Sequence, residues 1–334
     1  MTNAHEITLP PEHDVVLPPF TVAPTVVAQG ESVDWGLALA GVPDAWKDTE
    51  GEGVTVAVLD NGCDVNHQDL QGAIADTRDF TGRGFSPGDH GTPCCGIIGA
   101  RKNNSGIIGC APKSRIIVGK VLHGMSGDFR WTGLGIRWAA NAAPGCIISM
   151  SLGGPYPDPS VLEAIEYALE QGCFIVAAAG NDGRDNSVNY PAKWADVLAI
   201  GAVKNDGTLA RFSSRGPEVD LVAPGEGITS TSPGGGHSIY DGTSFACPFV
   251  AGVAALIVAK HRKSGGGTPV TNQAQLIAHL VRTAKDIGPP GHDHGTGWGL
   301  VQVKGILESP TPWESPWFGL PFTPYEAKLR KKVA

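Results

Sequence analysis

The feature that most restricts the fold is a series of short runs that are apolar at nearly every position rather than at every second one. Val54-Thr-Val-Ala-Val-Leu59, Arg115-Ile-Ile-Val-Gly-Lys-Val121, Cys146-Ile-Ile-Ser-Met-Ser-Leu152, Cys173-Phe-Ile-Val-Ala-Ala-Ala179, Val197-Leu-Ala-Ile-Gly-Ala-Val203 and Asp220-Leu-Val-Ala223 all have this character. A strand with one wet face alternates, whereas a strand covered on both faces does not. The segments between them read as helices: Trp131 to Ala143, then about Ser160 to Gln171 with an apolar face of Leu162, Ile165, Ala168 and Leu169, and later Asn272 to Lys285. Apolar strands separated by helices predict an α/β fold, a mainly parallel sheet with helices on both sides.

A second stretch narrows the chemistry. Asp241-Gly-Thr-Ser244-Phe-Ala-Cys-Pro248 opens a run that reaches Lys260 before meeting a charge. Its small residues (Ala246, Ala251, Gly252, Ala254, Ala255) suit a helix packed on all sides. A hydroxyl at the N-terminus of such a helix lies beside unpaired N–H groups and the positive dipole end, which stabilise an anion. Alone, Thr243 or Ser244 reads as a helix cap. Catalysis requires a base and an acid to orient it. In a parallel sheet, function gathers beyond the C-terminal ends of the strands. Asp60 ends the first strong strand, and Asp89-His90-Gly-Thr-Pro-Cys-Cys-Gly96 leads into a small apolar helix. The order Asp, His, Ser is one of those in which a Ser-His-Asp relay is assembled.

Composition excludes other classes. A net charge of −8 argues against a nucleic-acid partner. No apolar run reads as a membrane span, and Met1-Thr-Asn-Ala-His-Glu6 has neither the basic region nor the apolar core of a signal peptide. Seven Cys without a framework spacing predict reduced thiols and a cytoplasmic location. No motif calls for an organic cofactor. Pro10, Pro11, Pro18, Pro19 and Pro24 make residues 1–34 an extended arm, residues 35–306 form the body, and residues 307–334 are a Pro- and aromatic-rich tail that packs on its own domain or on a partner.

Several blocks together resemble the subtilisin family of serine proteases. They are Ala57-Val-Leu-Asp60-Asn-Gly-Cys-Asp-Val-Asn-His-Gln-Asp-Leu70, Asp89-His90-Gly-Thr-Pro-Cys-Cys-Gly96, Met150-Ser-Leu-Gly-Gly154, Ala178-Ala-Gly-Asn181 and Gly242-Thr-Ser-Phe-Ala-Cys-Pro248. The resemblance covers residues 35 to 305 in family order. It implies a three-layer α/β/α fold and peptide-bond hydrolysis by Asp60, His90 and Ser244, with Asn181 as a side-chain donor to the oxyanion. It makes Ser126, Gly127, Asp128, Ser151, Leu152 and Gly153 the edges that pair with an extended polypeptide substrate. Gly154, Asn189 and Ala177 to Ala179 would line the pocket for the residue before the scissile bond, with Asp182 at the rim.

The resemblance also implies a calcium site at Asp69, served by the loop Arg101-Lys-Asn-Asn-Ser-Gly-Ile107, and a weaker cation site from the carbonyls of Ala192, Trp194 and Val197 with Asp220. Departures weaken the first: the loop is shorter than the fully liganded version and carries Arg101 and Lys102. Pro93 stands where the family usually has a second His, and Cys94 behind His90 is expected to be structural. The repeated string Asp293-His294-Gly-Thr296 reads as a late loop. The arm resembles the N-terminal extension of intracellular subtilisins, in which a Leu-Ile-Pro-Tyr/Phe motif crosses the active site. Leu17-Pro18-Pro19-Phe20 is similar, so the arm is expected in the cleft. A homodimer stays open. The competing readings are a precursor-processing peptidase or macrocyclase on the same fold, and an inactive subtilisin-fold binding module.

Overall fold

The computed structural model describes residues 14–25, 30–264 and 270–303. The start of the arm, the end of the body near residue 306 and the whole tail therefore lie outside the described residues. The arm supplies β1 (Asp14–Val16), β2 (Thr21–Thr25) and β3 (Glu31–Ser32), and the short helices α1 (Trp35–Leu39) and α2 (Val42–Ala45) lead into the body. There β4 (Thr55–Asp60) and β5 (Ile74–Asp79) flank a 3₁₀ turn at Gln68–Leu70, and α3 (Gly91–Gly99) and β6 (Gly106–Ile107) follow. The alternating part runs β7 (Arg115–Lys120), β8 (Ser126–Asp128), α4 (Phe129–Ala142), β9 (Ile147–Met150), α5 (Pro159–Glu170), β10 (Phe174–Ala178), β11 (Leu198–Val203) and β12 (Leu221–Pro224). The hairpin β13 (Ile228–Ser232) and β14 (Gly236–Asp241) precedes α6 (Thr243–Ser264), and α7 (Gln273–Thr283) comes last.

Seven parallel strands pair in the order β12-β11-β10-β9-β4-β7-β5. The chain leaves β4 toward β7 and β5, then returns across it to β9 and runs outward on the other side. Strand order thus reverses at β4, where an open sheet leaves a crevice beyond its strand ends. One apolar layer joins α3, α6 and α7 to the sheet, and a second joins α4 and α5 to its other face. This is the three-layer α/β/α arrangement.

Local chemistry explains the elements. Asp158 caps α5 by accepting from Ser160 N and Val161 N, and Pro159 occupies the first turn, where no N–H is needed. The buried face of α5 is Val161, Ala164, Ile165 and Ala168, a register slightly different from the expected one, with Leu162 and Leu169 only partly covered. Helix α6 is long and apolar enough to span a bilayer, yet 94% of its apolar window is buried inside the protein. It is the core helix. Other elements carry no such pattern. Edge strand β5 is largely exposed and polar, and the β13–β14 hairpin is short and rich in Ser and Thr.

Candidate active site

Asp60 ends β4, and His90 is the N-cap residue of α3, which packs against α6. His90 Nδ1 lies 2.9 Å from each carboxylate oxygen of Asp60, and both side chains are fully buried. Asp60 also accepts from the Asn61 N–H at 2.7 Å. The Asn61 side chain spans the same region, accepting from Gly91 N and donating to Asp89. With a carboxylate on Nδ1, the hydrogen belongs there, and Nε2 becomes the basic atom.

Ser244 is the second residue of α6, and the ring of the following Phe245 lies 5.6 Å from that of His90. Pro248 has no N–H to give the Ser244 carbonyl four residues back, so that carbonyl accepts from Ser151 Oγ at 2.7 Å instead. The internal proline therefore anchors the start of the helix to the end of β9. His90 Nε2 and Ser244 Oγ are both buried, and neither has a hydrogen-bond partner among the described residues. The serine–histidine bond is thus not made in this state. Cys94 Sγ lies 3.6 Å from the Ser244 carbonyl and 3.8 Å from Ser151 Oγ. Burial, and secondarily the Asp60 charge, raise its pKa well above the ordinary thiol value, so it is a poor nucleophile.

Asn181 follows the end of β10. Its Oδ1 accepts from both Thr243 N (2.9 Å) and Thr243 Oγ1 (2.8 Å), which fixes the amide orientation. Nδ2 then points into the cleft, where it donates to the Pro19 carbonyl at 2.7 Å. Thr243, which the sequence offers only as a helix cap, thus orients Asn181.

The arm crosses the site. β1 pairs antiparallel with β8 (Val16 with Ser126, Val15 with Gly127, Asp14 with Asp128), and Val16 exchanges both backbone bonds with Gly153 at 2.9 Å. Leu17 N donates to the Met125 carbonyl, an acceptor the sequence did not single out. Phe20 lies 4.8 Å from the His90 ring, and β2 continues along β14. The glycines on the two edges are required from behind. A Cβ on Gly127 would meet the Val121 carbonyl at 2.5 Å, and one on Gly153 the Tyr190 carbonyl at 2.8 Å. Asp128 also caps α4 through Arg130 N. Ser151, Leu152 and Gly154 are buried behind this edge, with Gly154 bridged to Tyr190 and Asn189 N bonded to the Ala179 carbonyl.

Comparison with known proteins gives the family. Residues 51–299 match the model of the subtilase family. The chain belongs to the subtilase family. It is 37% identical over 283 residues to the intracellular serine protease of Paenibacillus polymyxa, covering 80% of this chain and 85% of that one. It is 38% identical over 261 residues to the major intracellular serine protease of Bacillus subtilis (74% and 81%), and 38% over 285 residues to the subtilisin of Bacillus pumilus (83% and 100%). This subtilase is a serine protease, a hydrolase of the endopeptidase class.

The candidate cation ligands of the subtilase are less open than the sequence implied. Both oxygens of Asp69 already accept: Oδ1 from Asn103 Nδ2, and Oδ2 from Ile107 N and from His237 Nε2. Burial pushes the Asp69 carboxyl up, but these donors outweigh it and hold it below the usual carboxylate value. Arg101 does not approach Asp69 with its side chain; it binds the carbonyls of Gly72, Pro112 and Ser114. At the second candidate, Asp220 Oδ2 accepts from Ala199 N, the Trp194 carbonyl accepts from Val197 N, and Ala192 is buried nearby in sequence. The Asp293–Thr296 string is a tight turn closed by Asp293 on Gly295 N and Thr296 N, and His292 bonds the Val219 carbonyl. All seven cysteines are free and buried.

Proposed function

We propose that this subtilase cleaves polypeptides by a relay of Asp60, His90 and Ser244, with Asn181 Nδ2 and the Ser244 N–H as oxyanion donors, and that its own arm holds the cleft closed. The observation that carries the reading is the Pro19 carbonyl on Asn181 Nδ2, with the Phe20 ring against His90. A carbonyl oxygen of an extended chain sits on the donor that an oxyanion would use.

In turnover, Ser244 Oγ attacks the substrate carbonyl while His90 Nε2 takes its proton, and Asp60 holds the resulting imidazolium. His90 then returns the proton to the leaving amine, and water repeats the steps on the acyl-enzyme. That neither Ser244 Oγ nor His90 Nε2 has a partner among the described residues fits this scheme, since such bonds tighten with substrate in place. Pro18 and Pro19 have no N–H for pairing and fix the backbone angles, so the segment between the edges and Phe20 cannot continue as a regular strand. Relatives named as intracellular proteases and seven free thiols support a cytoplasmic location, where an arm of this kind would restrain the enzyme until it is displaced.

The test uses a fluorophosphonate probe and a peptide substrate. Labelling is expected at Ser244, absent in Ser244→Ala, and faster after deletion of residues 1–25, with a parallel rise in peptide hydrolysis. Unlabelled protein with or without the arm would favour the inactive binding module. Unchanged rates after the deletion would remove the arm from the proposal while leaving the relay intact. Digestion of casein at many sites would set a general endopeptidase apart from a processing peptidase or macrocyclase.

A further inference from the structure

Asp69 lies in the 3₁₀ turn after β4, fully buried, and three other segments converge on it. Its carboxylate receives Ile107 N (3.1 Å) from β6, Asn103 Nδ2 (3.3 Å) from the loop before it, and His237 Nε2 (2.7 Å) from β14. Its backbone carbonyl accepts from Arg101 N, and its backbone N–H donates to His67 Nδ1. Because that nitrogen of His67 accepts, the other carries the hydrogen and donates to the Gly236 carbonyl at 2.8 Å. The residue before His237 is thereby fixed, and the two imidazoles meet edge to face at 5.4 Å.

We infer that His237 fills, with its imidazole N–H, the place at Asp69 that a divalent cation would take, so that this junction is tied without metal. A calcium ion needs six to eight oxygens whose lone pairs converge on one point. Here the atoms around the carboxylate are N–H donors, and their hydrogens face the oxygens. A carboxylate only accepts, so His237 Nε2 must carry its hydrogen to lie 2.7 Å away. Space is lacking too: a single Cβ on Gly106 would come within 2.2 Å of Asp69 Oδ2. An ion could enter only by expelling the imidazole and moving the 103–107 backbone.

The substitution has a structural consequence. The hairpin that carries His237 is also the partner of β2, and the loop that Asp69 holds is the partner of β3, where the Glu31 carboxylate accepts from Asn103 N and Asn104 N. The Asp69–His237 bond thus joins the two body elements that receive the second half of the arm.

Thermal unfolding of the full chain in EDTA and in millimolar calcium tests this. Any rise in Tm with calcium is expected to be equal in the wild type and in Asp69→Asn, because it would arise elsewhere. His237→Ala is expected to melt several degrees lower than the wild type in EDTA. A rise in the wild type that Asp69→Asn abolishes would overturn the inference. Should the variants not fold, the ring Hε2–Nε2 NMR correlation of His237 decides on the wild type alone. Its persistence in calcium supports the imidazole tie, and its loss refutes it.

Discussion

Two carboxylate–imidazole pairs begin nine residues apart on the same stretch of chain, and they are bonded in opposite ways. Asp60 meets His90 at 2.9 Å and Asp69 meets His237 at 2.7 Å, each carboxylate fully buried. The difference lies in what surrounds the pair. Beyond His90, Nε2 has no partner among the described residues, and a second unpaired atom, Ser244 Oγ, is buried in the same cleft beneath the arm. Around Asp69, three N–H donors are satisfied on two oxygens, and a neighbouring histidine fixes the backbone beside His237. The first pair is left one hydrogen bond short, which is what proton transfer needs. The second is complete, which is what a structural tie needs. An Asp–His contact alone is therefore no mark of catalysis.

Substitutions should separate the two pairs sharply. With the arm removed, Ser244→Ala should lower kcat by roughly 10⁶-fold and Asp60→Asn by roughly 10⁴-fold, the scale recorded when subtilisin itself loses these groups. Asn181→Ala should cost about 10²–10³-fold in kcat with little change in KM, again the scale known from subtilisin's own oxyanion donor. Asp69→Asn should do the reverse: kcat within a few-fold of the parent, and stability lowered by about 3 kcal/mol as a buried pair is broken. Peptide hydrolysis and urea unfolding on the same preparations would show both sides. A large loss of kcat in Asp69→Asn would end the contrast.

The sequence made the first pair legible and hid the second. Asp60 ends a uniformly apolar strand, His90 stands at the start of an apolar helix and Ser244 opens a small-residue helix, whereas Asn181, in the loop after β10, is reached only through the resemblance to the subtilisins. The parallel sheet was legible for the same reason. His237 sits in a hairpin whose strands, Ile228–Ser232 and Gly236–Asp241, carry mostly Ser, Thr and Gly. Only the turn Pro233-Gly-Gly-Gly236 between two short strand-like runs signalled it. Its contact with Asp69 spans 168 residues of sequence, and no local pattern reports such a distance. Thr243, which orients Asn181, was weighed only as a cap because its partner lies 62 residues earlier.

Another buried histidine, facing only positively charged or neutral rings and no carboxylate, sharpens the comparison. His279, on α7, faces the ring of His261 on α6 at 5.5 Å and the guanidinium of Arg282 on its own helix. Burial first, then the positive charge of Arg282 and the neighbouring His261, lower its pKa from 6.5 to about 4. The unfolded chain binds a proton here below about pH 6.5, while the folded chain does not until about pH 4. Stability is therefore lost as pH falls through that window, by about 2 kcal/mol at pH 5 for this residue. His279→Leu should remove that slope, so the difference in unfolding free energy between variant and parent should shift by about 2 kcal/mol in favour of the variant on going from pH 7 to pH 5. A difference that stays constant with pH would mean that the folded state protonates His279 as readily as water does, and that burial without a carboxylate does not suffice to keep an imidazole neutral here.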